Sequence, residues 1–335
     1  MNSKRFFKKW KQVLIIIMLF TMIVSSVGCN KKRQYKVGIL SGLDTLGKAV
    51  DGFKTKMTEL GYTEGENITY DLQKTNSDFT DYKNFSKKFV DDKVDLIFCF
   101  PTEAALELKE ATKETSIPVV FAVTNIEDTD LVKSIREPGG NITGVRYPGP
   151  DLTLKRFEIM RQIAPQANRI LIPYKSDMPV CYPQLDALRP VAQQAGVILV
   201  EAPAKTPQEL TEFLQIHDIE GDIGFDAILL IAEAFGAMPN TFMLMSKYAD
   251  KHKIPIGGRY MDVEGHTSLF GVNINPWVTG EKAAVLADKI LKGEKAATVS
   301  VVSDDNFVQI NYKEAQKKGY TLSEELLSQA NEIIK

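Results

Sequence analysis

Val94-Asp95-Leu96-Ile97-Phe98-Cys99-Phe100-Pro101-Thr102 is the stretch on which the fold reading turns. Apart from Asp95, positions 94–100 are apolar one after another, so a strand formed here must be covered on both faces. A strand with one wet face would alternate instead. Thr102 follows where a hydroxyl can cap a helix, and that helix runs to about residue 113. Ile117-Pro118-Val119-Val120-Phe121-Ala122-Val123 then repeats the buried-strand pattern. Strand, helix and strand in this order predict a parallel sheet lying between helical layers.

The same pattern extends in both directions. Upstream, residues 37–40 form a short apolar strand, and Leu46, Val50, Phe53, Met57 and Leu60 recur at helical intervals until Gly61 ends the helix. A strand at 68–72 and a helix at 81–91 precede residue 94. Downstream, the turn-rich Pro138-Gly139-Gly140-Asn141 and a strand at 142–145 mark a first passage between lobes. The alternation restarts with a helix at 152–163, a strand at 169–174, a helix at 183–195 and a strand at 197–201. A helix opened by Thr206-Pro207, a strand at 226–231, a helix at 240–251 and a strand at 254–257 follow. Residues 269–272 lead into a helix at 276–291 that returns to the first lobe. Two short strands near 299 and 308 and a polar helical tail complete the chain. The expected class is α/β: two doubly wound parallel-sheet lobes joined by a hinge, one built from 36–146 and 273–298, the other from 147–272 and 299–335.

The N-terminal end concerns location. Residues 1–12 carry five Lys/Arg and no acid, residues 13–24 are almost wholly apolar, and Ser25-Ser26-Val27-Gly28 leads into Cys29. That is the order of an export signal, and the apolar part is shorter than the ~20 residues of a membrane span. A cysteine after small residues resembles a lipoprotein signal. Residues 1–28 are therefore expected to be a signal peptide, Cys29 to be lipidated, and 29–35 to tether an extracytoplasmic protein to the cell membrane. An uncleaved N-terminal anchor is the alternative, because Ser26 stands where the lipoprotein pattern prefers Leu. Loss of residues 1–28 takes away five positive charges and no negative ones, moving the formal charge from −2 to −7. Such an acidic chain does not suit nucleic acid. Cys99 and Cys181 are a possible disulfide pair in an oxidising compartment, but Cys99 sits in an apolar run, where a buried free thiol is commoner. The 306 residues beyond Cys29, with 44% apolar content overall, suit two packed lobes.

Enzyme chemistry does not assemble. Gly38, Gly42 and Gly47 fit neither a phosphate loop nor a dinucleotide fingerprint, and Ser41 lacks a nucleophile elbow. His217, His252 and His266 lie far apart without metal-ligand spacing. No catalytic residue, metal or cofactor is expected. What recurs instead is a polar or aromatic residue directly after a strand, where an open parallel sheet has its ligand crevice. The candidates are Ser41, Leu43 and Asp44; Pro101 and Thr102; Thr124 and Asn125; Tyr174 and Ser176; Glu233 and Phe235; and Arg259 and Tyr260. Helices that start at such points direct free backbone N–H groups into the crevice and can hold an anion. Six loops on two lobes suit a cleft that closes from both sides.

Pro138-Gly139-Gly140-Asn141-Ile142-Thr143-Gly144-Val145, the upstream Ile117-Pro118-Val119-Val120-Phe121-Ala122-Val123-Thr124, Thr279-Gly280 with the run to Lys295, and Tyr320-Thr321-Leu322-Ser323-Glu324-Glu325-Leu326-Leu327 carry a family resemblance. They resemble the ABC transporter substrate-binding proteins, a family that includes tryptophan-binding lipoproteins. The resemblance implies a type I periplasmic-binding fold with three crossing segments, a small-molecule ligand in the cleft, an ABC permease as partner and a monomeric state. Many relatives have Pro-Thr-Asp-Asn after a second-lobe strand, whereas this chain has Ala232-Glu233-Ala234-Phe235. Glu233 can replace the lost acid, Phe235 and Tyr260 can sandwich an apolar group, and Arg259 can pair with a carboxylate or with Glu233 or Asp262. An amphipathic carboxylate, such as an aromatic or branched amino acid, is the leading ligand class. A ligand sensor signalling to a membrane receptor is the rival role.

Overall fold

The computed structural model describes residues 33–76, 78–127, 129–218, 222–233 and 235–335. The export signal and Cys29 lie outside the described residues. The first lobe winds β1 (Tyr35–Ser41), α1 (Lys48–Glu59), β2 (Ile68–Lys74), α2 (Phe79–Asp91), β3 (Leu96–Phe100), α3 (Thr102–Thr112), β4 (Val119–Thr124) and β5 (Ile142–Arg146). The second continues with α4 (Gly149–Ile163), β6 (Arg169–Lys175), α5 (Cys181–Gln194), β7 (Ile198–Ala204), α6 (Pro207–Ile216), β8 (Ala227–Leu229), α7 (Pro239–His252) and β9 (Ile256–Gly257). A hairpin, β10 (Asp262–Val263) and β11 (His266–Thr267), precedes β12 (Phe270–Asn273) and the returning α8 (Pro276–Leu291). The chain ends with β13 (Val302–Ser303), β14 (Phe307–Asn311), α9 (Tyr312–Lys317), α10 (Glu324–Ser328) and β15 (Glu332–Ile334).

β3 and β4 are buried along their whole length, and their side chains divide between two cores. Leu96, Phe98 and Phe100 face one side with Val50, Phe53, Ala283 and Ala287 of α1 and α8. Ile97 and Cys99 face the other with Tyr82, Phe89, Ala104 and Leu108 of α2 and α3. Phe53 and Phe98 stack at 4.3 Å. The continuous apolar run thus reflects a sheet with no solvent face. In the second lobe Ile170 and Ile172 of β6 join the core under α4 and α5, while Leu171 joins that under α6 and α7.

The first sheet is ordered β2-β1-β3-β4-β5-β13, all parallel. The second is ordered β7-β6-β8-β9, and a parallel bridge between Gly258 and Gly271 links it to β12-β14-β15. α8 returns to the first lobe through a close helix crossing. A Cβ on Gly280 would lie 2.1 Å from the Ala49 carbonyl oxygen, and one on Gly52 would lie 2.1 Å from that of Trp277. The sequence reading needs two changes here. β13 pairs with β5, so the return to the first lobe extends to residue 303 and the third crossing follows it, instead of falling at 298/299. The tail is not wholly helical, because β15 adds to β14 in parallel.

The glycine-rich motif serves the fold. Gly139 has φ +80°, and a Cβ on Gly144 would meet the Phe121 carbonyl oxygen at 2.1 Å. The Asn141 amide donates to the Ile117 carbonyl at 2.7 Å, and the Thr143 hydroxyl donates to that of Val299 at 2.7 Å. Cys99 and Cys181 are buried free thiols.

Candidate functional site

In the first sheet the winding reverses between β1 and β3, and in the second between β6 and β8. Crevices in open parallel sheets form at the carboxyl ends of such strands, and the two reversal points face one cleft of about 1260 Å³. Small-molecule pockets measure roughly 300–1,000 Å³, so the cleft is roomy enough for one small solute. Leu43 follows β1, Pro101 and Thr102 follow β3, and Asn125 follows β4 on one wall; Phe79 and Tyr82 of α2, with Leu46 and Leu106, add an apolar patch to it, beside the charged Lys48, Glu103, Glu127 and Asp130. The facing wall has Met178 and Val180 after β6, Ala232 and Glu233 after β8, Met238, and Arg259 after β9. Tyr147, Asn273, Ile274 and Asn275, on the first two crossings, close the base.

Asp78 caps α2 by accepting from the Thr80 and Asp81 amides. This cap sets Phe79 at the lip of the cleft, 71% exposed, edge-on to Tyr82 at 5.9 Å. The Tyr82 hydroxyl donates to the Gly42 carbonyl at 3.1 Å, holding α2 against the β1 loop. Thr102 is not the cap of α3; Pro101 occupies that place without a side-chain bond. The Thr102 hydroxyl oxygen accepts from the Asn125 amide at 3.0 Å, tying two wall loops together. Thr102 and Glu103 of the first turn of α3 line the cleft, and first-turn N–H groups have no partner within their helix.

Charge is uneven on the second wall. The Glu233 carboxylate accepts from the Lys175 amide at 3.3 Å and the Gly236 amide at 3.2 Å. Arg259 lines the cleft and forms no salt bridge with Glu233 or Asp262 among the described residues. Beneath it lies Arg156, fully buried, where burial draws the guanidinium down to about 10. At neutral pH it stays cationic. No three His, Cys, Asp or Glu side chains gather for a metal ion among the described residues.

Of the candidates read from sequence, the structure brings Leu43, Pro101, Thr102, Asn125, Glu233 and Arg259 to the cleft. The others do not line it. Phe235 is fully buried among Leu230, Phe242 and Met245, because the turn after β8 folds it under α7. Tyr260 packs its backbone on Gly271, whose Cβ would meet the Tyr260 nitrogen at 2.1 Å. These two rings therefore form no aromatic sandwich in the cleft; the exposed ring at its lip is Phe79, on the opposite lobe. Ser41 and Thr124 are buried at their strand ends, and the Thr124 hydroxyl donates to the Ala122 carbonyl at 2.8 Å. Tyr174 is buried in the second-lobe core, Ser176 extends the β6-β7 pairing through its amide, and Asp44 begins a single 3₁₀ turn beside the wall. Sequence reading missed Phe79, Tyr82, Tyr147, Asn273 and Arg156. Asp78 before an apolar periodic run was the available signal for the start of α2; the crossing residues carry no local signal.

The comparisons agree with this geometry. Residues 36–334 match the family described as ABC transporter substrate binding protein. The chain is 30% identical over 287 residues to a tyrosine-binding protein of Clostridioides difficile, an alignment covering 84% of this chain and 80% of that one. The structure of a Streptococcus pneumoniae ABC domain in complex with L-Trp superposes with a TM-score of 0.73 at 24% identity, covering 90% of this chain and all of that one. The ligand-free, open structure of a Clostridium difficile substrate-binding protein with adhesive properties gives 0.72 at 24% identity, covering 90% and 99%. With two doubly wound lobes facing one cleft and a family match along the whole described body, this chain belongs to the ABC transporter substrate-binding proteins, non-catalytic extracytoplasmic receptors that present a small molecule to a permease.

Proposed function

We propose that this protein captures an amphipathic carboxylate, an aromatic amino acid in the first instance, and delivers it by lobe closure to its ABC permease while tethered through a lipid on Cys29. The observation that carries the ligand class is the division of the cleft. One wall offers an apolar patch of Leu43, Leu46, Phe79 and Leu106 beside its polar and charged side chains, and the other offers Arg259 without a salt bridge. A solute with an aromatic body and an anionic end satisfies both, and neither wall alone encloses it. Contacts from both lobes would draw the open-closed equilibrium toward the closed form. The tyrosine-binding relative and the tryptophan complex support the class. The Arg259 pairing is distinct from the Asp-containing segment of many relatives.

A thermal-shift and calorimetric screen of residues 30–335 against amino acids, aromatic carboxylates, nucleosides and sugars tests the reading. A ligand that binds only the native state stabilises it by about 2.7 kcal/mol at one hundred times its Kd. Tyrosine, phenylalanine or tryptophan is expected to raise the melting temperature. Stabilisation by sugars alone would sink the proposal. For the anchor, Cys29→Ser is expected to release the protein from membranes or block maturation without altering ligand affinity; undiminished membrane retention would make the apolar segment itself the anchor.

A further inference from the structure

We infer that Arg156, although sealed from the cleft, determines specificity: its charge, added to that of Arg259, forms a positive base that favours ligands bearing an anionic group over their neutral isosteres. The inference rests on the carboxylate reading above and names the residue that enforces it. Arg156 projects from α4 with no exposure. Its Nε and one terminal nitrogen donate to the Val272 carbonyl at 3.0 and 2.7 Å, and the other terminal nitrogen donates to the Leu230 carbonyl at 3.1 Å. It also reaches Asn273 Oδ1 at 3.3 Å. These acceptors are all neutral, and no carboxylate forms a salt bridge with Arg156 among the described residues.

The position of those carbonyls matters. The Leu230 amide donates to Gly257, and the Val272 amide donates to Gly258 at 2.9 Å. Arg259 therefore leaves the sheet between the two carbonyls that Arg156 holds, and Asn273, one residue beyond Val272, lines the cleft. A guanidinium buried among neutral acceptors is costly to desolvate, and an apolar side chain would fill the same space. Because it is away from water, its field is weakly screened and extends through the strand ends into the cleft. Glu233 is the acid nearby; two cations against one carboxylate leave the base positive.

The test is the ratio of affinities for L-tyrosine and L-tyrosinamide, measured by calorimetry in wild type, Arg156→Gln and Arg156→Lys. The glutamine variant is expected to reduce the acid preference on the order of tenfold, chiefly through weaker binding of the acid. The lysine variant keeps the charge and loses the planar fork, so it should retain most of the preference even where its melting temperature falls. An unchanged ratio in Arg156→Gln would overturn the inference, placing the carboxylate on the first turn of α3. If Arg156→Gln does not fold, the wild-type ratio is read against salt. A sealed charge predicts that the preference persists at high ionic strength, and its collapse overturns the inference. Failure of wild type to bind either probe would count against the amino-acid reading, and the base is then examined without ligand through the thiol of Ala237→Cys, at a position that lines the cleft after β8. Its pKa is expected to be higher when Arg156→Gln is added; equal values would overturn the positive base.

Discussion

A ring can contribute to solute capture only where it meets solute, and Phe79 holds such a place. It is 71% exposed at the cleft lip, so Phe79→Ala is expected to leave the melting temperature unchanged and to weaken an aromatic ligand by about 1–3 kcal/mol, the range for burying one large apolar side chain. A thermal melt checks the first effect and calorimetry with L-tyrosine the second. Phe235 is the opposite case. With no exposure and packing against Phe242 and Met245, Phe235→Ala is expected to lower stability by about 3–5 kcal/mol, while the folded fraction binds ligand as wild type does. Reduced affinity at unchanged stability would return Phe235 to the cleft. The sequence reading placed Phe235 in the cleft and passed over Phe79, because the exposure of each depends on local geometry, a helix cap at Asp78 and a turn after β8. Neither follows from residue type, and Arg156 was invisible for the same reason: one buried arginine on an amphipathic helix reads as surface.

At the scale of elements, the legible parts are those where each strand carries its own period. β3 and β4 could be read because every side chain is buried, and α1 because its apolar residues fall on one face. β13 has two residues and no period, so the third crossing was misplaced until its pairing with β5 fixed it. The return of α8 was legible; the closeness of its contact with α1 was not. Gly280 faces the backbone of Ala49, so Gly280→Ala is expected to push the helices apart at a cost of about 1–3 kcal/mol, measured by denaturant unfolding. A cost near zero would mean that the helices can shift freely. On the second lobe, Arg189 of α5 holds Glu201 of the edge strand β7 through Nε at 2.8 Å and a terminal nitrogen at 2.9 Å, which draws the carboxyl below its ordinary 4.5. A lowered folded-state pKa means that this pair adds stability above pH about 4.5 and loses it as pH falls through the folded value. Glu201→Gln is therefore expected to be less stable than wild type near neutrality and to converge with it in acid. Parallel stability curves across that window would count against the pairing.

For the whole molecule, the proposed function calls for a rotation about three crossing segments, and Arg146 sits where they meet. At the end of β5 it pairs with Glu127 on the first-lobe wall and, at 2.7 Å, with Asp151 in the first turn of α4 in the second lobe. Its Nε donates to Ser303 at 2.6 Å beside the third crossing, and Asp304 next to it accepts from Thr279 of α8. The Asp151 arm is the one that spans lobes, and it is 56% exposed. Exposed pairs contribute about 0–1 kcal/mol, so Asp151→Asn can move the open-closed balance by about fivefold at most. The decisive feature is uniformity. A change in that balance alters the apparent affinity of every ligand by one factor, whereas loss of a direct contact discriminates among ligands. Asp151→Asn is therefore expected to shift the affinities for L-tyrosine and L-tyrosinamide equally, and added salt is expected to shrink the difference between variant and wild type because the pair is solvent-screened. Small-angle scattering supplies the structural counterpart, with saturating ligand contracting both proteins to the same radius of gyration. A variant that weakens the acid and spares the amide would place Asp151 in the ligand's electrostatic field and remove it from the hinge.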